Sequence, residues 1–362
     1  MLYKWVSRLF LCSVVFIAGC MPSYSIEDRA IVHIMGYDYI KDGEFKGTVA
    51  IPQYGRTEES SATELYLNTT ADSPKNLSMK LEGESSKPLS IGKLEVVLFG
   101  EELAKNNITD FLDILSRDAR IGRGIYLGVV KGDTQELIEG EYSEDETTAK
   151  YLNGLIENNY YKNIPQVNLH RFLYAYHAKG MDGYLPILKK ENGNIRIDGI
   201  SFFKGGKLVF NVPFDKTLFF KVIRESTTRG EQKLNYEGGS IYMNHIRSNV
   251  SYSIEENGNN PKLMVQVNLQ GSISEMEDLK QKKKESSSFV KELEQAYIEL
   301  FEKESSQLIK KFQEENVDPL GFGTVLNRRS KEFDMDNWEE IYPEAQISVN
   351  FDVKIVETGI TN

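Results

Sequence analysis

The chain has 362 residues with 43 basic and 54 acidic side chains, a net charge of −11, and 40% hydrophobic and 11% aromatic residues. An acidic surface of this kind repels nucleic acid and anionic headgroups, so no nucleic-acid partner is expected and membrane attachment must come from something other than charge. Two cysteines, Cys12 and Cys20, are too few for a disulfide framework or a cysteine-ligated zinc site.

The first twenty residues have their own layout. Lys4 and Arg8 precede an apolar run from Leu9 to Ala18, which as a helix spans about 15 Å, half of a hydrocarbon core. That is a signal peptide rather than a permanent span. Ile17-Ala18-Gly19-Cys20 forms a lipobox, so residues 1–19 are expected to be removed and Cys20 to carry lipid. Acyl chains, at about 0.8 kcal/mol per buried methylene, would then hold the chain at the extracytoplasmic face of a membrane. Cleavage would also discard Cys12 and leave no free thiol.

Beyond a short tether, Ala30 to Tyr37 and Phe45 to Ile51 read as a hairpin turned by Asp42-Gly43. A strand near Ser60 to Thr70 and a helix from Pro74 to Leu81 follow. Leu94 to Gly100 is a buried strand. Helical spacing then covers Glu101 to Arg117, broken at Asn106-Asn107, before a second apolar strand, Ile125 to Val130. This βαβ order implies a parallel pair in a mixed sheet.

The acidic stretch Glu139 to Thr148 suggests a boundary, with helices at Thr148 to Tyr160 and Asn168 to Lys179 beyond it. Strands are expected at Tyr184 to Leu188, Ile195 to Phe203 and Lys207 to Val212, and a helix at Asp215 to Arg224. Two long alternating stretches, Ser240 to Glu255 and Pro261 to Ser274, flank Asn257-Gly258. A long amphipathic helix from about Leu279 to Glu315 carries the stripe Phe289, Leu293, Tyr297, Phe301, Leu308, Ile309 and Phe312. Short helices at Leu320 to Arg329 and Trp338 to Ile341 precede a closing strand, Gln346 to Val356. The reading is mixed α/β in three domains, 20–138, 139–195 (largely helical) and 196–362.

No nucleophile elbow, metalloprotease helix, phosphate loop or well-placed dinucleotide fingerprint occurs. His170 and His177 lie two helical turns apart, about 10 Å, too far to share a metal. Asp113 with Asp118 and Asp334 with Asp336 read as solvated faces. The aromatic cluster Tyr160, Tyr161, Phe172, Tyr174 and Tyr176 reads as core, with a pocket or interface as the alternative. No catalytic residue, cofactor or metal site is assigned.

Several segments resemble the spore germination receptor C-subunit lipoproteins, the family written Ger(x)C. Ile26 to Val32 leads into Gly36-Tyr37-Asp38-Tyr39, similar to the family's acidic start and Gly-x-Asp strand. Lys93 to Gly100 followed by Glu101-Glu102-Leu103-Ala104 looks like its strand-then-helix segment, and Arg117-Asp118 like its helix end. Most specific is Asp318-Pro319-Leu320-Gly321-Phe322-Gly323, then Trp338, Tyr342-Pro343 and Thr358-Gly359. One departure is Phe333, where many members carry tryptophan. The resemblance implies a lipid-anchored, non-enzymatic subunit at the spore inner membrane that associates with an A subunit and a permease-like B subunit of a nutrient receptor. Beside Cys20, it points to Gly36, Asp38, Arg117, Asp118, Pro319, Gly321, Gly323 and Trp338 as motif positions with a structural or partner-contact role. Physically, Pro319 should stop the long helix, and Gly321 and Gly323 should permit close approach or positive φ. The alternative is a solute-binding lipoprotein of an ABC importer, whose two lobes usually alternate β and α throughout, unlike the long hairpin and helix here.

Overall fold

A computed structural model describes residues 28–53, 63–143, 145–255, 261–277, 287–329 and 335–358. The lipobox and Cys20, the Asn257-Gly258 turn and Phe333 lie outside these residues.

Strand β1 (Ala30–Ile31) pairs in parallel with β5 (Leu89–Ser90). Strands β2 (Ile34–Lys41) and β3 (Glu44–Gln53) form the expected hairpin, with Gly43 at φ 71° in its turn, a conformation that costs glycine little. β4 (Thr63–Ala71) extends the meander. Helix α1 (Pro74–Glu84) starts on a proline and is capped by Ser73, whose hydroxyl accepts from the Asn76 N–H. All five residues of β6 (Val96–Gly100) are buried. The expected helix break is real: α2 (Glu101–Asn106) and α3 (Thr109–Arg117) are separated where the Asn107 side chain accepts the Thr109 N–H at 2.9 Å. β7 (Tyr126–Val130) lies parallel to β6. Three helices, α4 (Thr134–Ile138), α5 (Thr148–Tyr161) and α6 (Leu169–His177), make the next crossover. It ends in β8 (Tyr184–Glu191), followed by β9 (Asn194–Lys204) and β10 (Lys207–Pro213).

The resulting sheet has the order β10-β9-β8-β7-β6-β2-β3-β4. Its four central strands are parallel and flanked on each side by an antiparallel pair. Central strands covered on both faces read as continuous apolar runs, which is why Val96 to Gly100 lacks alternation. The same sheet runs across both boundaries drawn from sequence, at 138/139 and 195/196. The acidic stretch after Glu139 is the loop from α4 to α5; polarity signals exposure, and exposure alone does not separate two bodies.

After α7 (Thr217–Arg224), a second sheet is built from β11 (Thr227–Tyr236), β12 (Gly239–Glu255), β13 (Lys262–Glu277) and β14 (Gln346–Thr358) in that order. β11 was not anticipated, because Thr-Thr-Arg-Gly-Glu-Gln-Lys carries almost no apolar residues. It is an edge strand, irregular on either side of Gly230. Helix α8 (Ser287–Glu314) covers the apolar face, burying the expected stripe from Phe289 to Phe312. Each such side chain contributes roughly 1.5–3 kcal/mol when removed from water. Helices α9 (Phe322–Arg329) and α10 (Trp338–Ile341) complete the crossover to β14, which pairs in parallel with β13. The Phe351 and Ile355 N–H groups of β14 donate to Glu302 and Glu294 of α8 at 3.2 and 3.0 Å. On the opposite edge, the Asn163 side-chain amide donates to the Glu231 carbonyl (3.1 Å) and accepts the Glu231 N–H (3.0 Å).

The two sheets share one core. Phe202 of β9 lies 4.9 Å from both Phe220 of α7 and Phe312 of α8, measured between ring centroids. Lys221 of α7 reaches across to donate to the carbonyls of Tyr160 and Lys162 at the end of α5, at 2.5 and 2.8 Å.

Candidate functional site

The loop after α8 and the loop between α6 and β8 meet at the seam between the sheets. α8 ends at Glu314, where Asn316 at φ 51° reverses the chain, its N–H on the Gln313 carbonyl and the Val317 N–H on the Phe312 carbonyl. Pro319 therefore lies beyond the stop that it was expected to make, and Asp318 turns the chain into α9. The Asp318 carboxylate accepts the N–H of Gly321 at 2.8 Å and of Gly323 at 2.9 Å, two donors that the start of a helix leaves without an internal partner. The backbone of Asp318 is also held: its N–H donates to Asp182 Oδ2 at 2.8 Å, and its carbonyl accepts the Asp182 N–H at 2.9 Å. Lys204 Nζ stands 3.3 Å from the same Asp182 oxygen and 3.1 Å from Glu339.

The two motif glycines have different reasons to be glycine. Gly321 takes φ 75°, a region that side chains enter only under strain. Gly323 faces Gly180, and a Cβ there would lie 2.6 Å from the Gly180 Cα and 2.6 Å from Trp338 Nε1. The Thr324 N–H donates to the Gly180 carbonyl at 3.0 Å, so two backbones run in contact. Trp338 is buried and packs against Tyr342 with 5.3 Å between ring centroids. The Tyr342 hydroxyl is buried with no hydrogen-bond partner among the described residues.

Burial dominates the electrostatics. It pushes the Asp318 carboxyl up to about 7, with Asp182 adding to the rise, against the lowering effect of the backbone donors. Asp182 is also raised by burial, opposed by Lys204. The Tyr342 phenol is pushed well above its usual value by burial and then by the two carboxylates. Asp182 stands between two cavities. One of about 320 Å³ is lined by Asp182, Lys204, Asp318, Trp338, Glu339 and Tyr342 among others. The second, about 400 Å³, includes Arg171, Phe172, Tyr174, Met181, Asp182 and Arg224.

Gly36 and Asp38 form a separate clasp on β2. Asp38 is buried and accepts from the Thr134 N–H at 2.9 Å and the Thr134 hydroxyl at 2.6 Å, seating α4 on the sheet. Burial raises its carboxyl while Thr134 works to lower it. Gly36 lies beneath the same helix, where a Cβ would be 2.5 Å from Ile138 Cδ1. Arg117 and Asp118 are not drawn into either clasp: Arg117 pairs with Asp113 at 2.8 Å, and Asp118 with Arg120 at 2.6 Å, at the end of α3.

The aromatic cluster divides. Tyr160 and Phe172 are buried, while Tyr161 and Tyr174 are 49% and 44% exposed. His33 Nδ1 is 2.8 Å from Glu95. Among the described residues no group of three or more His, Cys, Asp or Glu side chains stands close enough for a metal, and no helix is long and apolar enough to cross a membrane. Sequence reasoning missed Gly180, Asp182 and Thr134. Lys179-Gly180-Met181-Asp182-Gly183 carries the one signal that points there, two glycines and an aspartate between a helix and a strand.

Two family models together cover the mixed sheet and the second sheet under its long helix, and the chain belongs to the spore germination proteins that they describe. The spore germination protein N-terminal domain matches residues 23–190, and the spore germination B3/GerAC-like C-terminal domain matches residues 198–359. The chain is thus a member of the germinant receptor C-subunit family. It is 28% identical to spore germination protein GerQC of Bacillus cereus over 99% of both chains. It is 23% identical to spore germination protein KC of Bacillus subtilis, over 98% of this chain and 95% of that one. The crystal structure of the GerBC protein superposes with a TM-score of 0.59 at 20% identity, covering 89% of this chain and 96% of that chain. These comparisons give the ABC importer alternative no support. The seam clasp joins Gly180 and Asp182 of the first family domain to Asp318, Gly323 and Trp338 of the second.

Proposed function

We propose that this chain is the lipid-anchored C subunit of a spore nutrient germinant receptor, held at the extracytoplasmic face of the spore inner membrane through Cys20. It works there by association with an A subunit and a permease-like B subunit, not by catalysis. The observation that carries this reading is end-to-end correspondence with a spore germination protein, 99% of each chain, together with the Ile17 to Cys20 lipobox. The motif residues Gly36, Asp38, Pro319, Gly321, Gly323 and Trp338 serve in this reading to hold the fold that the partners meet.

Deletion of the gene should abolish or slow germination toward one class of nutrient, leaving growth, sporulation and germination by receptor-bypassing agents intact. Restoring the protein as Cys20→Ala should rescue poorly, because lipid confinement in two dimensions raises the effective concentration beside membrane partners. Labelled palmitate should enter the wild-type protein and not the variant. Normal nutrient responses in the deletion strain, in a genome encoding no second receptor, would refute the proposal. Adjacent genes for a permease-like protein and an A-type subunit are expected.

A further inference from the structure

An open groove of about 590 Å³ runs along the outer side of α6, with Leu173, Tyr174 and Ala178 on its floor and Arg123, His170 and His177 at its margins. No carboxylate lines it among the described residues. Arg328 of α9 joins it from the other family domain, its Nη2 donating to the Tyr174 hydroxyl at 2.7 Å. Arg123 donates to the Ser116 carbonyl at 2.5 Å. Both exposed guanidiniums are thus held by neutral oxygens, and each keeps N–H groups for an acceptor from outside. The acids of neighbouring segments have bases of their own: Asp113 pairs with Arg117, Asp118 with Arg120, Glu225 with Arg171 and Asp336 with Lys179. The two helices themselves carry no acid, α6 reading Leu-His-Arg-Phe-Leu-Tyr-Ala-Tyr-His and α9 Phe-Gly-Thr-Val-Leu-Asn-Arg-Arg. In a chain with 54 acidic side chains against 43 basic ones, this is a local reversal of sign beside an apolar floor.

We propose that this groove docks an acidic segment of a partner protein, its carboxylates on Arg123 and Arg328 and its apolar side chains on Leu173, Tyr174 and Ala178. The guanidinium fork matches a carboxylate in two parallel hydrogen bonds, and arginine pairs are a recurrent means of reading acidic motifs. Two other occupants match the geometry less well. Small-molecule sites enclose most of their ligand, which an open groove cannot do. A bilayer plane meets charges that protrude, whereas these are folded back on Ser116 and Tyr174 beside a recessed floor. Because Arg123 and α6 belong to the first family domain and α9 to the second, a bound segment would touch both. That the partner is another receptor subunit rests on the function proposed above; the charge and shape of the groove do not.

The test titrates the full-length chain in detergent into a fluorescein-labelled peptide of glutamate and leucine, with a glutamine and leucine peptide as control, and reads anisotropy. The glutamate peptide should bind saturably and the glutamine peptide should not. Arg123→Glu combined with Arg328→Glu should weaken binding about tenfold with the melting temperature unchanged, since both side chains are exposed. Equal binding of the two peptides, or of the glutamate peptide to the wild type and the double variant, overturns the site. Displacement by dihexanoyl phosphatidylglycerol at a lower concentration than by unlabelled glutamate peptide overturns the protein partner in favour of a lipid surface. The wild-type comparison of the two peptides decides even if the double variant folds poorly. In spores, the double variant at normal protein level should reproduce the loss of nutrient response seen on deletion. Full germination of the double variant beside a defective deletion strain overturns the docking role. A deletion strain that germinates normally refutes the receptor reading and leaves the peptide result to decide the groove.

Discussion

Gly323→Ala isolates the seam clasp in one methyl group. The added carbon would sit 2.6 Å from the Gly180 Cα and 2.6 Å from Trp338 Nε1, where non-bonded carbons need roughly 3.5–4.0 Å. About 1 Å of separation must therefore be found between two backbones. Gly180 cannot swing aside as a side-chain tip would, since its carbonyl accepts the Thr324 N–H at 3.0 Å. Overpacking of this kind costs about 1–3 kcal/mol. Gly321→Ala provides the contrast: its φ of 75° carries strain of about 1–2 kcal/mol, while its new methyl meets the flexible end of Met181. Asparagine tolerates positive φ, so Gly321→Asn should recover stability over Gly321→Ala, whereas Gly323→Asn should be worse than Gly323→Ala. Gly154→Ala, inside α5 with nothing within 4 Å of the added carbon, should gain about 0.8–1.0 kcal/mol. Urea denaturation monitored by circular dichroism measures all five. A Gly323→Ala midpoint equal to wild type, or asparagine rescuing position 323 as well as 321, would show that the backbone contact is not what holds the seam.

The carboxyl of Asp318, raised to about 7, gives stability a pH signature. Its folded value lies above its unfolded one, so the native state keeps a proton that the unfolded chain loses between about pH 7 and 4; the stabilisation is complete below the unfolded value and is lost as pH rises through about 7. Asp318→Asn should flatten the pH dependence of the urea midpoint across that window, and an unchanged slope would count against the assignment. At the other clasp, Thr134→Ala removes the 2.6 Å hydroxyl bond to buried Asp38 and should cost about 1–3 kcal/mol, while Thr134→Ser should restore most of it. The double variant Glu294→Ala, Glu302→Ala uncovers the β14 edge and should shift the purified protein toward dimers or larger species in light scattering; a monodisperse monomer would argue that those carboxylates guard nothing.

Elements that follow from local chemistry were legible in the sequence. The Asp42-Gly43 hairpin, the α2–α3 break at Asn107, the α8 stripe and the alternating β14 are each declared by residues inside the element itself. What was not legible depends on distant partners. β11 has its pattern only beside β12, and α4 is held by Asp38, 96 residues away. The positions of Gly321 and Gly323 were singled out together, but nothing in the sequence separates a glycine needed for its φ from one needed for its missing side chain.

The carboxylates laid along β14 act as a ruler. Glu294 and Glu302 are eight helical residues apart, about 12 Å at 1.5 Å each, and the N–H groups they hold are four strand residues apart, about 13 Å. Two different repeats thus come into step over one stretch, and α8 runs antiparallel to the strand it borders. With Asn163 imitating a neighbouring strand at Glu231 on the other side, both margins of the four-stranded sheet are hemmed by side chains at these points. At Phe351, Ile355 and Glu231 a strand from another chain would therefore find the backbone groups it needs already bonded.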